Sequence, residues 1–285
     1  MFTTKSSAAF HWPVTTPRTS NSAAGSSLRP TMPLTRNGAT QAKGKPAEPA
    51  KARRDARKAA VERERGLEKL VDAANLKRDP LQDLPALREF RRNGLDAELE
   101  WRRGPDLSDA DMTFCAELLA SNMRDQYKAA GWGWSDVAKK RALREDTTRA
   151  LLVRSHSSED DCSSSTEEET GVDTQAAAAA PACNLGFVMV QFCMEAERPT
   201  LYVLELQLTE QTRGKGLGKF LMEAVEAVAH KQRMQCVMLT VFKANEGAVR
   251  LYEKLGYVVD ESSPSQCGVP DSCYEIMSKQ VGTDV

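Results

Sequence analysis

The sequence predicts an α/β sandwich, a mixed central sheet of six to seven strands flanked by helices, with a further helix and a disordered tail at the N-terminus. Three observations predict it. Through the second half of the chain, apolar and β-branched runs alternate with amphipathic helical stretches, the pattern of strand–helix–strand units. A glycine-rich segment, "RGKGLG", stands at one of those strand–helix junctions. With 285 residues and 41% hydrophobic content, the chain is long enough to bury a sizeable core.

Taken in order, residues 1–48 are rich in Ser, Thr, Pro and Ala with scattered Arg and Lys, and no acidic residue precedes Glu48. Such a segment lacks the apolar content that offsets the entropy of ordering, and reads as a disordered basic tail. The acid-poor, Ser- and Arg-bearing composition also fits an organelle transit segment, which would direct the chain to a plastid or mitochondrion. Residues 49–78 change to strong helix formers, with Leu67, Leu70, Val71 and Ala74 recurring at helical spacing. The front of this helix, "KARRDARK", reads as a nuclear address, a nucleic-acid contact or a solvated charged face.

A domain spanning 79–281 follows, after Pro80 and Pro85 break the helix. Within it "LDAELEWRR" alternates as a first strand. Residues 106–130 form a helix capped by Asp106 or Ser108, with Met112, Cys115, Leu118, Leu119 and Met123 as its apolar stripe. "GWGWSD" ends it and starts a short helix. "RALLVR" and "NLGFVMVQFCM" are strands, separated at 156–182 by a low-complexity, acidic and hydroxyl-rich insert that cannot pack a core. "LYVLELQL" (201–208) is a buried strand, "GKGLGKFLMEAVEAVAHKQ" a helix, and "CVMLTVF" a strand. "NEGAVRLYEKLG" is a helix closing on Gly256, and "YVVDE" and "CYEIMSK" supply the last two strands.

Composition narrows the function classes. The net charge is −1, and seven cysteines form no CxxC pair. With only three histidines, no metal-ligand spacing emerges, so no metal is expected and free thiols in a reducing compartment are the default. No apolar run approaches the ~20 residues of a membrane helix, and no membrane partner is expected.

The loop "RGKGLGKF" carries the chemistry. Glycines at 214, 216 and 218 let successive backbone N–H groups converge at a helix N-terminus, where dipole and unsatisfied donors attract an anion such as a phosphate. It is not a Walker A loop, because Lys219 is followed by Phe220, and not a dinucleotide fingerprint, because Lys219 takes the place of the third glycine. In the preceding strand, Glu205 must either reach a cleft or carry a pKa raised by desolvation, and both suit a base that deprotonates an amine near neutral pH. Counting by twos puts Glu205 on the face of Val203 and Gln207, a parity that a β-bulge would change. Asn245 precedes "EGAVRLYEKL" and reads as its N-cap.

The strand, the "RGKGLG" loop, its helix and the later "NEGAVRLYEKLGY" resemble the GCN5-related N-acetyltransferase (GNAT) superfamily. "DPLQDLPALREFRRNGLDAELEWRR", "NMRDQYKAAGWGW", "YVLELQL", "RGKGLGKFLM", "VMLTVFKANEGA", "DESSPS" and "CYEI" resemble its NatD-type N-alpha-acetyltransferases, which modify histone tails beginning Ser-Gly-Arg-Gly. The resemblance covers about residues 65–280 apart from the insert, and implies the GNAT fold, acetyl-CoA as co-substrate and histone tails as partners. It also implies a monomer in nucleus and cytoplasm, with ribosome or chromatin contacts through the basic N-terminal helix.

Residue by residue, the resemblance implies Glu205 as general base, acting through water. It places the cofactor on Leu206, Gln207 and Leu208, on the loop Arg213, Gly214, Lys215, Gly216, Leu217, Gly218 and Lys219, and on Asn245 and Tyr252. Tyr252 matches the wider superfamily, where such a tyrosine protonates the departing thiolate, whereas the NatD pattern has Phe. The substrate peptide is carried over to Tyr127, Trp132, Glu195, Tyr202, Ser262 and Tyr274. Cys193 stands where the family has an aspartate, leaving Glu197 as a substitute carboxylate and implying relaxed preference. Trp132 and Trp134 read equally as core packing. Two other classes share parts of this pattern. A small-amine acetyltransferase would not need the "GWGW" and "SSPS" segments, and a non-catalytic adapter could use the basic helix alone, without Glu205 or the Arg213 loop.

Overall fold

The computed structural model describes residues 50–156 and 183–282; the expected tail at 1–48 and almost all of the insert at 156–182 lie outside the described residues. Eight strands form one sheet: β1 (Glu89–Arg92), β2 (Leu95–Arg103), β3 (Thr148–Ser155), β4 (Asn184–Glu195), β5 (Arg198–Leu208), β6 (Cys236–Phe242), β7 (Val258–Val259) and β8 (Tyr274–Gln280), in the order β1-β2-β3-β4-β5-β6-β8-β7. Every pairing is antiparallel except β5 with β6. The helices are α1 (Ala50–Leu76), α2 (Asp109–Ala129), α3 (Asp136–Leu143), α4 (Leu217–Lys231) and α5 (Glu246–Lys254).

Two apolar clusters, one on each face of the sheet, make three layers. Val71 and Ala74 of α1, the stripe of α4 and Tyr252 of α5 pack on Leu99, Trp101, Val188, Leu201, Val203 and Leu239. Met112, Cys115 and Leu119 of α2 and Leu143 of α3 pack on Ala150, Leu152, Phe187 and Met189. Alternation along β3, β4 and β5 thus feeds both layers, which is why these strands read as nearly continuous apolar runs. α1 docks only through its last turns: residues 51–66 are exposed all round, as interleaved charges without an apolar stripe dictate.

The sheet has one strand more than the six to seven expected. β1 has a single buried residue, Phe90, among three charged ones, so it shows no period that could be read as a strand. β7 is reduced to two exposed valines. Ser108, not Asp106, caps α2, accepting from the Asp111 N–H, while Asp106 lies in the preceding 3-10 turn. Gly256 follows the C-cap of α5 with φ 87°, as expected for a glycine closing a helix.

Two features of β5 place the site. The β4–β5 register shifts between Met189↔Glu205 and Val190↔Val203, leaving Leu204 as an extra residue in a β-bulge. The parallel pairing with β6 runs only from Thr200↔Cys236 to Val203↔Leu239, although β5 continues to Leu208 and β6 to Phe242. Beyond the bulge the two strands part. Opposite the parted segment, Gly186 of β4 lies so close to β5 that an added Cβ would sit 2.6 Å from the Gln207 carbonyl oxygen and 2.7 Å from Leu208 Cδ2. Gly186→Ala is therefore expected to push β4 and β5 apart and cost roughly 1–3 kcal/mol, as overpacking of a close-packed interior does, read as a lower Tm in thermal unfolding. An unchanged Tm would show that the strand shifts freely here.

Candidate active site

A cavity of about 430 Å³ fills the gap between β5 and β6. Its walls include Tyr127, Trp132, Glu195, Tyr202, Glu205, Leu206, Gln207, Asn245, Tyr252, Ser262 and Tyr274, so eleven of the residues singled out in the sequence line one space. The bulge sets its floor. With Leu204 inserted, Glu205 turns away from Val203, which packs under α4, and faces α2 and α3 instead. Gln207 keeps company with Glu205, and Leu206 and Leu208 pack on the other layer.

Glu205 is 7% exposed. The Tyr127 hydroxyl donates to its Oε1 at 3.2 Å and the Gln207 amide donates to its Oε2 at 3.0 Å. Lys139 Nζ lies 3.7 Å from Oε1 and 3.6 Å from the centroid of the Tyr127 ring. Burial pushes the Glu205 carboxyl above the usual carboxylate range, against the pull of the Lys139 charge and the two hydrogen bonds. Burial likewise brings the Lys139 ammonium down to about 8, against the pull of Glu205. A carboxyl poised above its ordinary range, at the floor of a cavity, can take a proton from an amine near neutral pH.

One end of the cavity is aromatic. Gly131 and Gly133, with φ of 75° and 70°, fold "GWGW" back on α2. Trp132 then meets Tyr127, Phe242 and Tyr274 edge-on at 5.8, 4.9 and 5.0 Å between centroids. The two tryptophans divide the roles open to them: Trp132 is a cavity wall, whereas Trp134 packs against the α2 layer and donates from Nε1 to Asp136. Near this end Glu195 receives the Cys193 thiol at 3.8 Å, and burial raises its carboxyl. Arg198 is taken up by Asp260, whose two carboxylate oxygens it bridges at 3.1 and 2.9 Å, and Asp260 in turn accepts from the Ser262 N–H and hydroxyl. Glu197 sits exposed in the β4–β5 turn with φ 63°, outside the cavity walls, so it does not replace the missing aspartate there.

The glycine loop, Arg213 to Lys219, follows the end of β5 and, like Leu208, is not among the cavity walls. Gly214 and Gly216 adopt φ of 72° and 85°, conformations an L side chain resists, and Gly216 serves as N-cap of α4 with no side-chain cap bond. The first amides of a 15-residue helix are thus left without a side-chain partner at a left-handed turn, an arrangement that fits the pyrophosphate of acetyl-CoA. Asn93 of the β1–β2 turn donates to the Lys215 carbonyl and braces the loop from outside. Leu217, the first residue of α4, is buried, Gly218 lies against Leu208 and Leu251, and Lys219 pairs with Glu223 on the surface. The Arg213 guanidinium does not extend freely from the loop; it donates to the Leu208 carbonyl and to Asn122 Oδ1. Asn245 caps α5 by accepting from the Ala248 N–H, as its N-cap reading expects, and also lines the cavity. Tyr252 lines the cavity too, its phenol raised by burial and by the charge of Glu205.

Sequence reasoning missed Lys139 and Asn122. Lys139 is one of three consecutive cations on α3, but it alone is four residues before Leu143, and these two are the buried residues of that helix. Asn122 sits three residues after Leu119 and four after Leu118, a polar residue at the spacing of the α2 apolar stripe. Polar interruptions of an apolar stripe were the available signal.

A family model described as the Acetyltransferase (GNAT) family matches residues 145–257. The fold is the GNAT fold, and the segment that the family model matches runs from β3 to the end of α5. Among curated proteins the chain is similar to N-alpha-acetyltransferase 40 of Saccharomyces cerevisiae, 37% identical over 78 residues, which are 25% of this chain and 27% of that protein's length. Among solved structures it is similar to NAA60 of Arabidopsis thaliana in complex with a bisubstrate analogue, at 13% identity and a TM-score of 0.43 over 65% of this chain and 99% of that one. It is also similar to spermidine N-acetyltransferase from Vibrio cholerae in complex with CoA and spermine, at 14% identity and a TM-score of 0.42 over 64% and 95%.

The opposed effects on Glu205 give a directional test. Lys139→Met removes the ammonium that lowers the Glu205 carboxyl, so its titration, followed by carbon-13 NMR, should move to higher pH, while Lys139→Arg should hold it nearer the wild-type position. A titration unmoved by Lys139→Met would mean that the ammonium does not act on the base.

Proposed function

We propose that this protein is an acetyl-CoA-dependent N-alpha-acetyltransferase of NatD type, acting on the terminal amine of protein tails that begin Ser-Gly-Arg-Gly. The observation that carries the reading is the buried, hydrogen-bonded Glu205 on the floor of a cavity that has an aromatic wall with a carboxylate at one end, on the strand that leads into the glycine-rich N-terminus of α4. When bound, acetyl-CoA supplies a thioester whose acyl carbon an amine attacks, with loss of the thiol.

Glu205 takes a proton from the substrate ammonium, directly or through one water, so that the nitrogen lone pair is available. Tyr127 and Gln207 hold the carboxylate in place for that transfer. Past Val203, β5 has no pairing with β6, which lets its backbone serve a ligand and donate to the oxygen that gains charge. Tyr252 lies on the cavity wall with its phenol held protonated by burial, the state from which it can give a proton to a departing thiolate. Trp132, Tyr202 and Tyr274 exclude water and offer flat contact to the first residues of a peptide. Glu195, with Arg198 committed to Asp260, is available to a cation on the substrate. Histone tails are the partners this reading names, in nucleus and cytoplasm, and the exposed basic half of α1 is the surface it assigns to ribosome or chromatin. A second reading, a general protein N-terminal acetyltransferase, is favoured by one observation: Cys193 stands beside Glu195 where a second carboxylate is expected, and Glu197 lies outside the cavity walls.

Two measurements test these readings. Glu205→Gln keeps the shape and removes the base, so turnover should fall by on the order of 100-fold with acetyl-CoA affinity nearly unchanged; a wild-type rate across pH 6 to 9 would exclude Glu205. Replacing Arg by Ala at the third position of a Ser-Gly-Arg-Gly peptide should lower kcat/KM by about 10- to 100-fold, the contribution of a charge-assisted pair, with Lys restoring it in part and Glu195→Gln abolishing the difference. Equal values for all three peptides would favour the general enzyme.

A further inference from the structure

Four side chains, three from the stretch 205–213 and one from the distant helix α2, form one continuous line of hydrogen bonds. An Arg213 Nη donates to Asn122 Oδ1 at 2.6 Å, Asn122 Nδ2 donates to Gln207 Oε1 at 3.0 Å, and Gln207 Nε2 donates to Glu205 Oε2 at 3.0 Å. The line begins in the glycine loop, crosses α2 and ends on the carboxylate at the β5 bulge. Its direction is fixed by chemistry at both ends. A guanidinium can only donate, so Asn122 must turn its oxygen to Arg213 and its amide nitrogen to Gln207. Gln207 must then accept on its oxygen and present its own nitrogen to Glu205, which as a carboxylate can only accept. Reversing either amide would set two donors or two acceptors face to face. The Leu208 carbonyl pins both early members, accepting from Asn122 Nδ2 at 3.2 Å and from Arg213 Nε and Nη at 3.3 and 3.2 Å.

We propose that Arg213, Asn122 and Gln207 act as a one-way relay that positions the Glu205 carboxylate, so that the loop expected to hold the phosphates also orients the base. The proposal deepens the acetyltransferase reading and rests on it. In this arrangement Arg213 serves Glu205 through two amides, and the backbone of Gly214 to Gly218 is left to the cofactor. The groups that act on Glu205 from the other elements are Tyr127 of α2, Lys139 of α3 and Tyr252 of α5. The relay adds the one bond made to Oε2, whereas Tyr127 and Lys139 both approach Oε1.

The test uses the full chain and two substitutions at Asn122. Asn122→Leu breaks the line without adding charge. Asn122→Asp keeps the partner of Arg213 but cannot donate to Gln207. A relay predicts that both lower kcat by about 10-fold or more, the scale of a lost hydrogen bond to a charged group, with the Kd for acetyl-CoA changed little. In Asn122→Leu the acidic limb of the kcat/KM profile should also move to higher pH, since Gln207 is no longer held to donate to the carboxylate form. Wild-type kcat in Asn122→Asp would mean that Asn122 only anchors Arg213, and a parallel loss of acetyl-CoA affinity would mean that Arg213 serves the cofactor; either overturns the relay. Arg213→Met, at an exposed position that tolerates change, should repeat the kcat loss if Asn122→Leu fails to fold. The carbon-13 titration of Glu205 needs no turnover: a shift to higher pH in Asn122→Leu supports the relay even if the wild type acetylates none of the peptides offered, and an unmoved titration overturns it whatever the activity.

Discussion

Leu204 is the extra residue of β5, and its position decides what the cavity contains. Strict alternation would turn Glu205 toward the layer of Val203 and α4, where an ionised carboxylate would have apolar neighbours and no donor. The bulge spends one residue to change parity, and from there Glu205 and Gln207 face Tyr127, Asn122 and Lys139, while Leu206 and Leu208 stay with the core. The same local increase in twist carries β5 away from β6, so one inserted residue both aims Glu205 and opens the space in front of it.

Burying that carboxylate has a cost that the surroundings must offset. An uncompensated buried charge is strongly destabilising, and a single partner rarely suffices. Here the compensation is divided among a phenol, an amide and an ammonium that itself lies over an aromatic ring. None fully cancels the desolvation, since the Glu205 carboxyl stays raised and the Lys139 ammonium lowered. Under the proposed function the incomplete balance is useful, because a carboxyl stabilised further would be too weak a base for an amine. At the aromatic end of the cavity, by contrast, Asp260 is held well below the ordinary carboxylate range, with hydrogen bonds from Ser262 and Arg198 outweighing its burial. It acts there as a fixed strut for the loop that carries Ser262.

Much of this was legible in the sequence because it depends on local rules. The strands of the second half, the glycines that need positive φ, the cap at Asn245 and the closing Gly256 each follow from a few neighbouring residues. Eleven wall residues of the cavity were named from motifs and resemblance. The omissions have a common cause, long range. β1 is a strand because β2 pairs with it, and its own residues carry no alternation. Within "AKKRAL" the spacing to Leu143 hints that Lys139 turns inward, but its partner is 66 positions later on β5, and the bulge that aims Glu205 exists only in register with β4. Asn122 could have been suspected from its place in an apolar stripe, and its partners could not.

The parallel junction of β5 and β6 has a mechanical meaning. With four residue pairs in register, it is, among the described residues, the only strand pairing between the antiparallel half-sheet β1 to β5 and the antiparallel half-sheet of β6, β8 and β7. The molecule is in effect two leaves sewn along a short seam, with α4 laid across the stitching and packed on both Val203 and Leu239. Separating the leaves by a small angle strains few hydrogen bonds, so low-energy opening motions concentrate at the seam rather than within either leaf. A ligand lodged in the cleft between them completes the sewing where the protein's own stitches stop, and its binding energy is felt as stiffness of the whole sheet.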